Sequence, residues 1–75
     1  MSKTQIRYEA SEDEWGVKLK RDWFRLHCGK SFQIALGKAA FDCHLELDAN
    51  WYVILPNATR LIPHPRSIHT VIIDS

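Results

Sequence analysis

The feature that most constrains this chain is a strict alternation of apolar and polar residues over positions 41–48, which read FDCHLELD. Apolar side chains occupy every odd position of the stretch, and polar side chains occupy every even one. A period of two places these two sets on opposite faces of a strand, whereas a helix would need apolar residues three and four positions apart. The sequence therefore predicts a β-strand with one buried face and one solvated face.

Turn-forming residues divide the rest of the chain into equally short pieces. They recur at intervals of roughly 8–12 residues, a spacing that is typical of small all-β domains. The glycines and prolines that mark these turns are Gly16, Gly29, Gly37, Pro56, Pro63 and Pro65. We expect residues 1–75 to form a single all-β domain, either a small barrel or a strongly bent antiparallel sheet of five to six short strands. Residues 1–14 are allowed to be loose or loop-like.

The segment around Gly29 carries a hairpin signal. Alternation predicts a strand over residues 23–28, in which Leu26 and Cys28 share the buried face. Gly29 and Lys30 then have the spacing of a tight two-residue turn, because glycine accepts the positive φ of the first turn position. We expect this turn to join the strand to the next one as a hairpin.

Three other segments have a clear local character. Trp51–Leu55 and Ile68–Ile73 are rich in β-branched and aromatic residues, and we expect both to be strands that are buried on both faces or central in a sheet. Proline cannot donate to a β-ladder, so Pro63–Arg66 is expected to be an irregular crossing or an edge kink. The acidic run Ser11–Glu14 is expected to be a loop that leads into a strand.

Two adjacent His/Cys pairs, His27–Cys28 and Cys43–His44, raise the question of a zinc site. Neighbouring residues of a strand point to opposite faces, so each thiol would turn away from its imidazole. We therefore expect two buried, inert cysteines and neither a metal nor another cofactor. Two unpaired thiols and the lack of a secretory signal favour a cytoplasmic location.

Little in the chain supports catalysis or membrane insertion. The tripeptide Gly29–Ser31 ends like a phosphate-binding loop but lacks the upstream glycine that such loops need. A chain this short buries only about 60% of its unfolded surface and has little to spare for a deep cleft. The longest apolar stretch, Trp51–Leu55, is far shorter than the roughly 18 residues of a membrane span. We expect a protein that is not an enzyme and does not cross a membrane.

Charge is distributed in blocks although the formal net charge is only +1. Residues 9–14 and 42–48 are acidic, whereas residues 18–38 contain six Lys and Arg and a single acid, Asp22. Small β-barrels that bind nucleic acid combine basic residues with aromatic ones. A nucleic-acid interface would use Lys18, Lys20, Arg21, Trp23 and Arg25. The alternative is a solvated surface on which the acidic and basic strands pair with each other.

Three tryptophans in so short a chain indicate a second kind of surface. Trp51 and Tyr52 are adjacent, so that one faces outward if the other faces inward, and Trp23 shares the polar face of its strand with Arg25. Exposed Trp, Tyr and Arg dominate protein interfaces, and aromatic grooves capture extended or proline-rich segments. We expect Trp23, Arg25, Trp51 and Tyr52 to form a patch for a protein partner. The alternative is that the tryptophans fill core volume.

The segment from Phe24 to Val53 resembles a family of small bacterial domains of unknown function that phages and conjugative elements often encode. The residues that carry the resemblance are Leu26–Gly29, Phe32–Ile34 and Trp51–Val53. The resemblance implies a small SH3-like barrel and assigns no functional residues. Together with the residue patterns, it leads us to expect a monomer or weak homodimer that acts as an interaction module, with a protein partner ahead of nucleic acid.

Overall fold

Eight antiparallel strands form one sheet in the computed structural model, which describes residues 2–74. The strands in chain order are β1 (Ser2–Glu9), β2 (Glu14–Leu19), β3 (Asp22–Arg25), β4 (Ser31–Leu36), β5 (Ala39–Leu47), β6 (Trp51–Ile54), β7 (Arg60–Leu61) and β8 (His69–Ile73). Their order across the sheet is β3-β2-β1-β8-β4-β5-β6-β7. The all-β prediction is confirmed, but the expected number of strands was too low. The sheet is open, with β3 and β7 at its edges.

The alternation predicted for positions 41–48 is confirmed over residues 43–46 of β5, but not at the ends of the stretch, where Phe41 and Leu47 are exposed. Cys43 and Leu45 are buried, whereas His44 and Glu46 between them are partly exposed. The same alternation in the other strands puts one face of the sheet against a common core, and we call this the inner face. The buried apolar residues of this core are Ile6, Trp15, Val17, Leu26, Phe32, Ile34, Cys43, Leu45, Val53, Val71 and Ile73.

Two tight turns connect neighbouring strands. Gly37 and Lys38 form the two-residue loop between β4 and β5, and Gly37 has the positive φ of 64° that this turn needs. Lys20 and Arg21 form the loop between β2 and β3, where both residues have positive φ. The second turn carries no glycine or asparagine, so turn chemistry does not predict it.

The hairpin expected at Gly29 and Lys30 is wrong. Gly29 does adopt a positive φ of 87°, and the amide of Lys30 donates to the carbonyl of His27 at 3.1 Å, which closes a turn. However, β3 pairs with β2, while β4 pairs with β5 and β8, so this turn joins two strands that do not pair with each other. In the order of the sheet, three strands, β2, β1 and β8, lie between β3 and β4.

The expected burial of Cys28 is also wrong. The strand ends at Arg25, three residues earlier than predicted, and Leu26 is the last residue of the segment that hydrogen-bonds to β2. Cys28 lies in the turn that follows and is exposed, whereas Cys43 is buried as expected. Because the chain leaves the sheet after Leu26, the alternation of inner and outer faces does not extend to Cys28.

Residues 1–14, which the sequence left open as a loose or loop-like segment, contain β1, one of the central strands. Its second half pairs with β2 and its first half pairs with β8, and only residues 10–13 form a turn, as expected before a strand. The prediction of a central strand near the end of the chain is confirmed by β8, which lies between β1 and β4. The irregular crossing is confirmed too, since residues 62–68 carry the chain from the edge strand β7 to β8 without forming a strand.

Within residues 2–74, no helix is long and apolar enough to cross a membrane.

Candidate functional site

A cleft of about 200 Å³ opens on the inner-face side of the sheet, between the β1–β2 turn and the β5–β6 turn. We call it the aromatic cleft. Its lining residues are Tyr8, Asp13, Trp15, Leu47, Ala49, Asn50, Trp51, Ile62, Pro63 and Pro65. These residues come from four separate parts of the chain, and three of them have aromatic rings. The crossing between β7 and β8 supplies both prolines and so forms one wall of the cleft.

Asp13 holds two of the rings in place. The Trp51 indole Nε1 donates to the Asp13 carbonyl oxygen at 3.1 Å and to its carboxylate Oδ1 at 3.2 Å. The Tyr8 hydroxyl donates to the same Oδ1 at 2.5 Å, and this hydrogen bond is the main cause that raises the pKa of Tyr8 above its ordinary value. Asp13 adopts a positive φ of 51°, a conformation that a short polar side chain tolerates. One carboxylate therefore fixes the orientation of both aromatic side chains.

Trp15 lies at the bottom of the aromatic cleft and is 1% exposed. Its ring centroid lies 5.6 Å from that of Tyr8 and 5.7 Å from that of His69, both in tilted arrangements. These separations are in the range of favourable aromatic contacts. The Trp15 indole Nε1 is buried without a hydrogen-bond partner. An unpaired buried donor is unusual, because most buried polar groups in folded proteins have a partner.

Apolar side chains surround the mouth of the aromatic cleft. Leu47 is 46% exposed and Ile62 is 65% exposed, although both are large hydrophobic residues. Leu47 is the partner of Trp51 in the β5–β6 ladder, so the two lie on the same face of the sheet. Exposed apolar side chains that cluster beside aromatic rings mark interaction surfaces more often than isolated ones do.

Tyr52 lies on the opposite face of the sheet from Trp51. Its ladder partner is Glu46, and the Arg60 guanidinium lies 4.8 Å from its ring centroid. A shallow hollow of about 170 Å³ contains Tyr52 and Arg60 and also reaches Ile62, so it adjoins the aromatic cleft. Trp51 and Tyr52 therefore serve two neighbouring surfaces rather than one.

A second group of functional candidates lies on the outer face of β1, β2 and β3. Trp23 packs against Gly16, where an added Cβ would lie 3.6 Å from the ring atom Cε3. The Arg7 guanidinium covers the Trp23 ring at 4.0 Å from its centroid, a cation–π contact. Arg25 forms an ion pair with Glu14, with Nε 3.2 Å from Oε1. Trp23 and Arg25 line one groove of about 350 Å³ together with Arg7.

The β2–β3 hairpin carries all the residues proposed for nucleic-acid binding. Lys18 and Trp23 are ladder partners and share the outer face, while Lys20 and Arg21 form the tip. Arg7 lies in the next row of the same face, because it is the partner of Gly16. We call Lys3, Arg7, Lys18, Lys20 and Arg21 the basic face. All five are exposed.

The four residues proposed as one protein-binding patch do not line a common cleft. Trp23 and Arg25 belong to the groove on β3, Trp51 belongs to the aromatic cleft, and Tyr52 belongs to the hollow beside it. Sequence reasoning missed Tyr8, Asp13, Leu47 and Ile62 in the cleft, and Lys3 and Arg7 on the basic face. A signal for the residues of β1 was present, because Lys3, Gln5 and Arg7 alternate with the partly or fully buried Thr4, Ile6 and Tyr8.

The cysteine and histidine residues do not converge on a metal site. No group of three or more His, Cys, Asp and Glu within residues 2–74 lies close enough together to hold a metal ion. Burial, aided by the nearby Asp42 carboxylate, raises the pKa of the Cys43 thiol to about 11. This thiol therefore stays protonated near neutral pH, and a protonated thiol is a poor nucleophile.

A hollow of about 510 Å³ lies beside the middle of the sheet. It combines apolar residues such as Ile54 and Ile72 with polar ones, among them Ser31 and His44. The Gln33 amide Nε2 donates to the Asp42 carboxylate at 3.1 Å across the β4–β5 ladder. This arrangement is that of a solvated sheet surface, on which neighbouring polar side chains pair with each other.

Comparison with known proteins reveals the family of the chain. No curated protein matches it. Its fold is similar to the crystal structure of a protein from Ruminococcus gnavus, determined by the Northeast Structural Genomics Consortium, with a TM-score of 0.71 and 18% sequence identity. That similarity covers 96% of this chain and 100% of the other. The family model described as a domain of unknown function, DUF5348, matches residues 4–71, and the chain therefore belongs to the DUF5348 family.

Proposed function

We propose that this domain is a non-catalytic interaction module that binds an extended segment of a partner protein in the aromatic cleft. The proposal rests on one observation: two aromatic rings, hydrogen-bonded to Asp13, lie beside exposed apolar side chains. Trp51 and Tyr8 are both hydrogen-bonded to this residue, and Leu47 and Ile62 extend the apolar surface into solvent. Aromatic grooves of this kind are a recurrent way to capture extended peptide segments.

The fixed orientation of the rings supports a binding role. Binding costs free energy when interface side chains lose rotamer freedom, and a ring that is already held in place has less freedom to lose. Trp and Tyr are also the residues that most often contribute large shares of binding free energy. The Trp51 ring, oriented by Asp13 and partly exposed, meets both conditions.

Charge favours one type of segment. The described residues that line the aromatic cleft include one carboxylate, Asp13, and neither lysine nor arginine. The hollow next to it adds a second carboxylate, Asp48, and one cation, Arg60, whose guanidinium lies over the Tyr52 ring. A segment that inserts apolar or prolyl side chains between the rings and places a Lys or Arg near these carboxylates would be complementary in shape and charge. We assign the cleft to such a segment.

We also propose that the fold is an SH3-like barrel and that the domain is a cytoplasmic bacterial one. The hydrogen bonds from Trp51 to Asp13 link β6 to the β1–β2 turn and support a sheet curled into an SH3-like barrel. Such a barrel would present the aromatic cleft among loops at one end, where binding residues commonly lie. The resemblance of residues 24–53 supports a bacterial domain of mobile elements. We place it in the cytoplasm as a monomer or weak homodimer.

The test uses a phage-displayed random peptide library selected against the immobilised domain. We expect enriched peptides to share apolar or prolyl positions and at least one Lys or Arg. An Ile62→Ala variant should bind these peptides about tenfold more weakly, as expected when a contact in the centre of an interface is truncated. Ile62 is 65% exposed, so its truncation is not expected to affect folding.

Ile68→Ala is the matched control, because Ile68 is 60% exposed and does not line the aromatic cleft. It should bind the selected peptides with the affinity of the unchanged domain. The proposal is wrong if no peptide is enriched, or if the Ile62 and Ile68 variants bind the enriched peptides equally well.

A further inference from the structure

The turn between β2 and β3 holds two basic residues in a conformation that suits neither. Lys20 has a φ of 51° and Arg21 has a φ of 78°, the pattern of the two central residues of a type I′ turn. Asn and Gly are preferred there because long side chains with a Cβ are strained at positive φ. Strained residues cluster at functional sites. Two adjacent cations at a tip that glycine or asparagine would accommodate with less strain point to a use for their charge.

The other members of the basic face extend this charge along the outer side of the sheet. Lys18 is one residue from the turn, and Arg7 lies in the neighbouring row, opposite Gly16. Lys3 lies on the same strand and the same face as Arg7, because the two are four positions apart and the faces of a strand alternate.

The acidic residues of this region border the basic face only at its Arg7 end, where Glu9 lies two positions from Arg7 on the same face of β1. Glu9 and Glu14 are ladder partners at the opposite end of β1 and β2, and Glu14 is paired with Arg25. Asp22 is the ladder partner of Leu19 and therefore belongs to the inner side of the hairpin. The register of the two ladders thus places the cations of the basic face near one another, with acidic neighbours at the Arg7 end, and such clustering is the condition that a phosphate-binding surface requires.

The packing of Trp23 decides which kind of nucleic acid fits. Proteins that bind single strands without sequence preference stack bases on exposed aromatic rings. The Arg7 guanidinium already covers the Trp23 ring, and an edge of the ring rests against Gly16. The basic face therefore presents charges without a free stacking ring. A two-stranded hairpin with a cationic tip also has dimensions that a groove of duplex DNA admits.

We propose that the basic face binds the phosphate backbone of double-stranded DNA without sequence preference, through Lys3, Arg7, Lys18, Lys20 and Arg21. This surface is distinct from the aromatic cleft, and the proposal does not rest on peptide binding there. Each phosphate contact releases counterions, so the logarithm of the binding constant should fall linearly with the logarithm of the salt concentration. If all five residues contact phosphates, the slope should be about −4.5, and fewer contacts would give a shallower slope.

Fluorescence anisotropy with a labelled duplex of mixed sequence, titrated at several salt concentrations, tests this surface. The double variant Lys20→Gln/Arg21→Gln should reduce the magnitude of the slope by about 1.8 and weaken binding by up to roughly 60-fold at ~0.1 M salt. The charge-preserving swap Lys20→Arg/Arg21→Lys should retain the slope. It also separates a loss of charge from a loss of folding at the turn.

The matched control is Lys38→Gln/Arg66→Gln, which removes the same charge from positions outside the basic face. It should change the slope by less than about 0.5, which is smaller than the contribution of one phosphate contact. An equal loss in both double variants would show attraction by net charge alone and would overturn the proposal. So would binding that does not depend on salt, tighter binding of a single-stranded oligonucleotide of the same sequence, or binding confined to anionic lipid vesicles.

Discussion

The Trp51 indole nitrogen lies 3.1 Å from the carbonyl oxygen of Asp13, a residue 38 positions earlier in the chain. In the order of the sheet, β8, β4 and β5 separate β6 from β1. A flat sheet would hold these elements far apart, since neighbouring strands are about 4.8 Å from each other. The sheet must therefore curl, and this contact joins the two parts that the curl brings together. It also shapes the aromatic cleft.

The first prediction concerns the strength of this contact. Trp51→Phe keeps an aromatic ring but removes the donor, and we expect it to lower the free energy of unfolding by about 1–2 kcal/mol, because the donor is shared between a neutral carbonyl and a charged carboxylate and its value should lie between those of the two kinds of bond. Urea denaturation of Trp51→Phe, Asp13→Ala and the double variant gives the coupling between the two side chains. A coupling near zero would mean that the hydrogen bond to the Asp13 carboxylate does not stabilise the curl, and that the loss in Trp51→Phe comes from ring size or from the bond to the Asp13 carbonyl oxygen, which Asp13→Ala retains.

How far the fold could be predicted depended on whether the signal was local. The strand β5 was predictable because FDCHLELD carries its own period, and β8 was predictable from its β-branched residues. The dipeptide Gly-Lys occurs twice with the same turn chemistry, yet only Gly37–Lys38 closes a hairpin. At Gly29–Lys30 the choice of partner depends on long-range pairing, because β4 gains two neighbours elsewhere in the sheet.

The β2–β3 turn is the reverse case, a hairpin turn that has no turn signal in the sequence. Lys20 and Arg21 form a tight hairpin turn without glycine, asparagine or aspartate, so turn chemistry could not reveal it. The ladder between Val17 and Phe24 stabilises the hairpin despite the strain at its tip. Pairing between β2 and β3 here outweighs the local preference of the turn residues. The end of the predicted strand over residues 23–28 was misplaced because the alternation continues past Arg25, where the pairing with β2 ends.

The aromatic cleft was predictable only in part. Trp51 could be identified because it stands next to another aromatic residue, where the faces of a strand force one ring outward. Tyr8 and Asp13 could not be connected with it, since the link is a hydrogen-bond network across the curl of the sheet. Nothing in a single sequence indicates which distant turn a strand end will meet.

The second prediction distinguishes the two thiols. Cys28 is exposed in its turn, whereas Cys43 is buried and its pKa is raised to about 11. At pH 8 only about one Cys43 in a thousand carries the reactive thiolate, by the three-unit difference from that pKa. We expect iodoacetamide to modify Cys28 rapidly in the native domain and Cys43 slowly. The reaction of Cys43 should become faster as the pH rises toward 11.

Mass spectrometry of the modified domain, with Cys28→Ser as the control, measures both rates. The variant should lose the fast reaction and keep the slow one, and urea should make Cys43 react as an ordinary thiol does. Equal rates for the two thiols in the native domain would show that Cys43 is accessible and that its environment does not favour the protonated form.

The last prediction links the strain of the β2–β3 turn to its function. Arg21 has a φ of 78°, and at such an angle an L-residue with a side chain is less stable than glycine by about 1–2 kcal/mol. Part of this gain is offset by the greater freedom of glycine in the unfolded chain. We therefore expect Arg21→Gly to raise the free energy of unfolding by about 1 kcal/mol, measured by urea denaturation.

Lys38→Gly is the matched control, because Lys38 also stands second in a two-residue turn but does not have a positive φ. It should give no gain, and glycine there should cost up to about 1 kcal/mol. If Arg21→Gly is stabilising and also lowers the salt slope of DNA binding by about 0.9, one residue carries both effects. The strain would then be a stability cost that keeps a cation at the tip of the hairpin. An Arg21→Gly variant that is no more stable than the unchanged domain would show instead that the turn is relaxed, and the strain would no longer support a function for its charge.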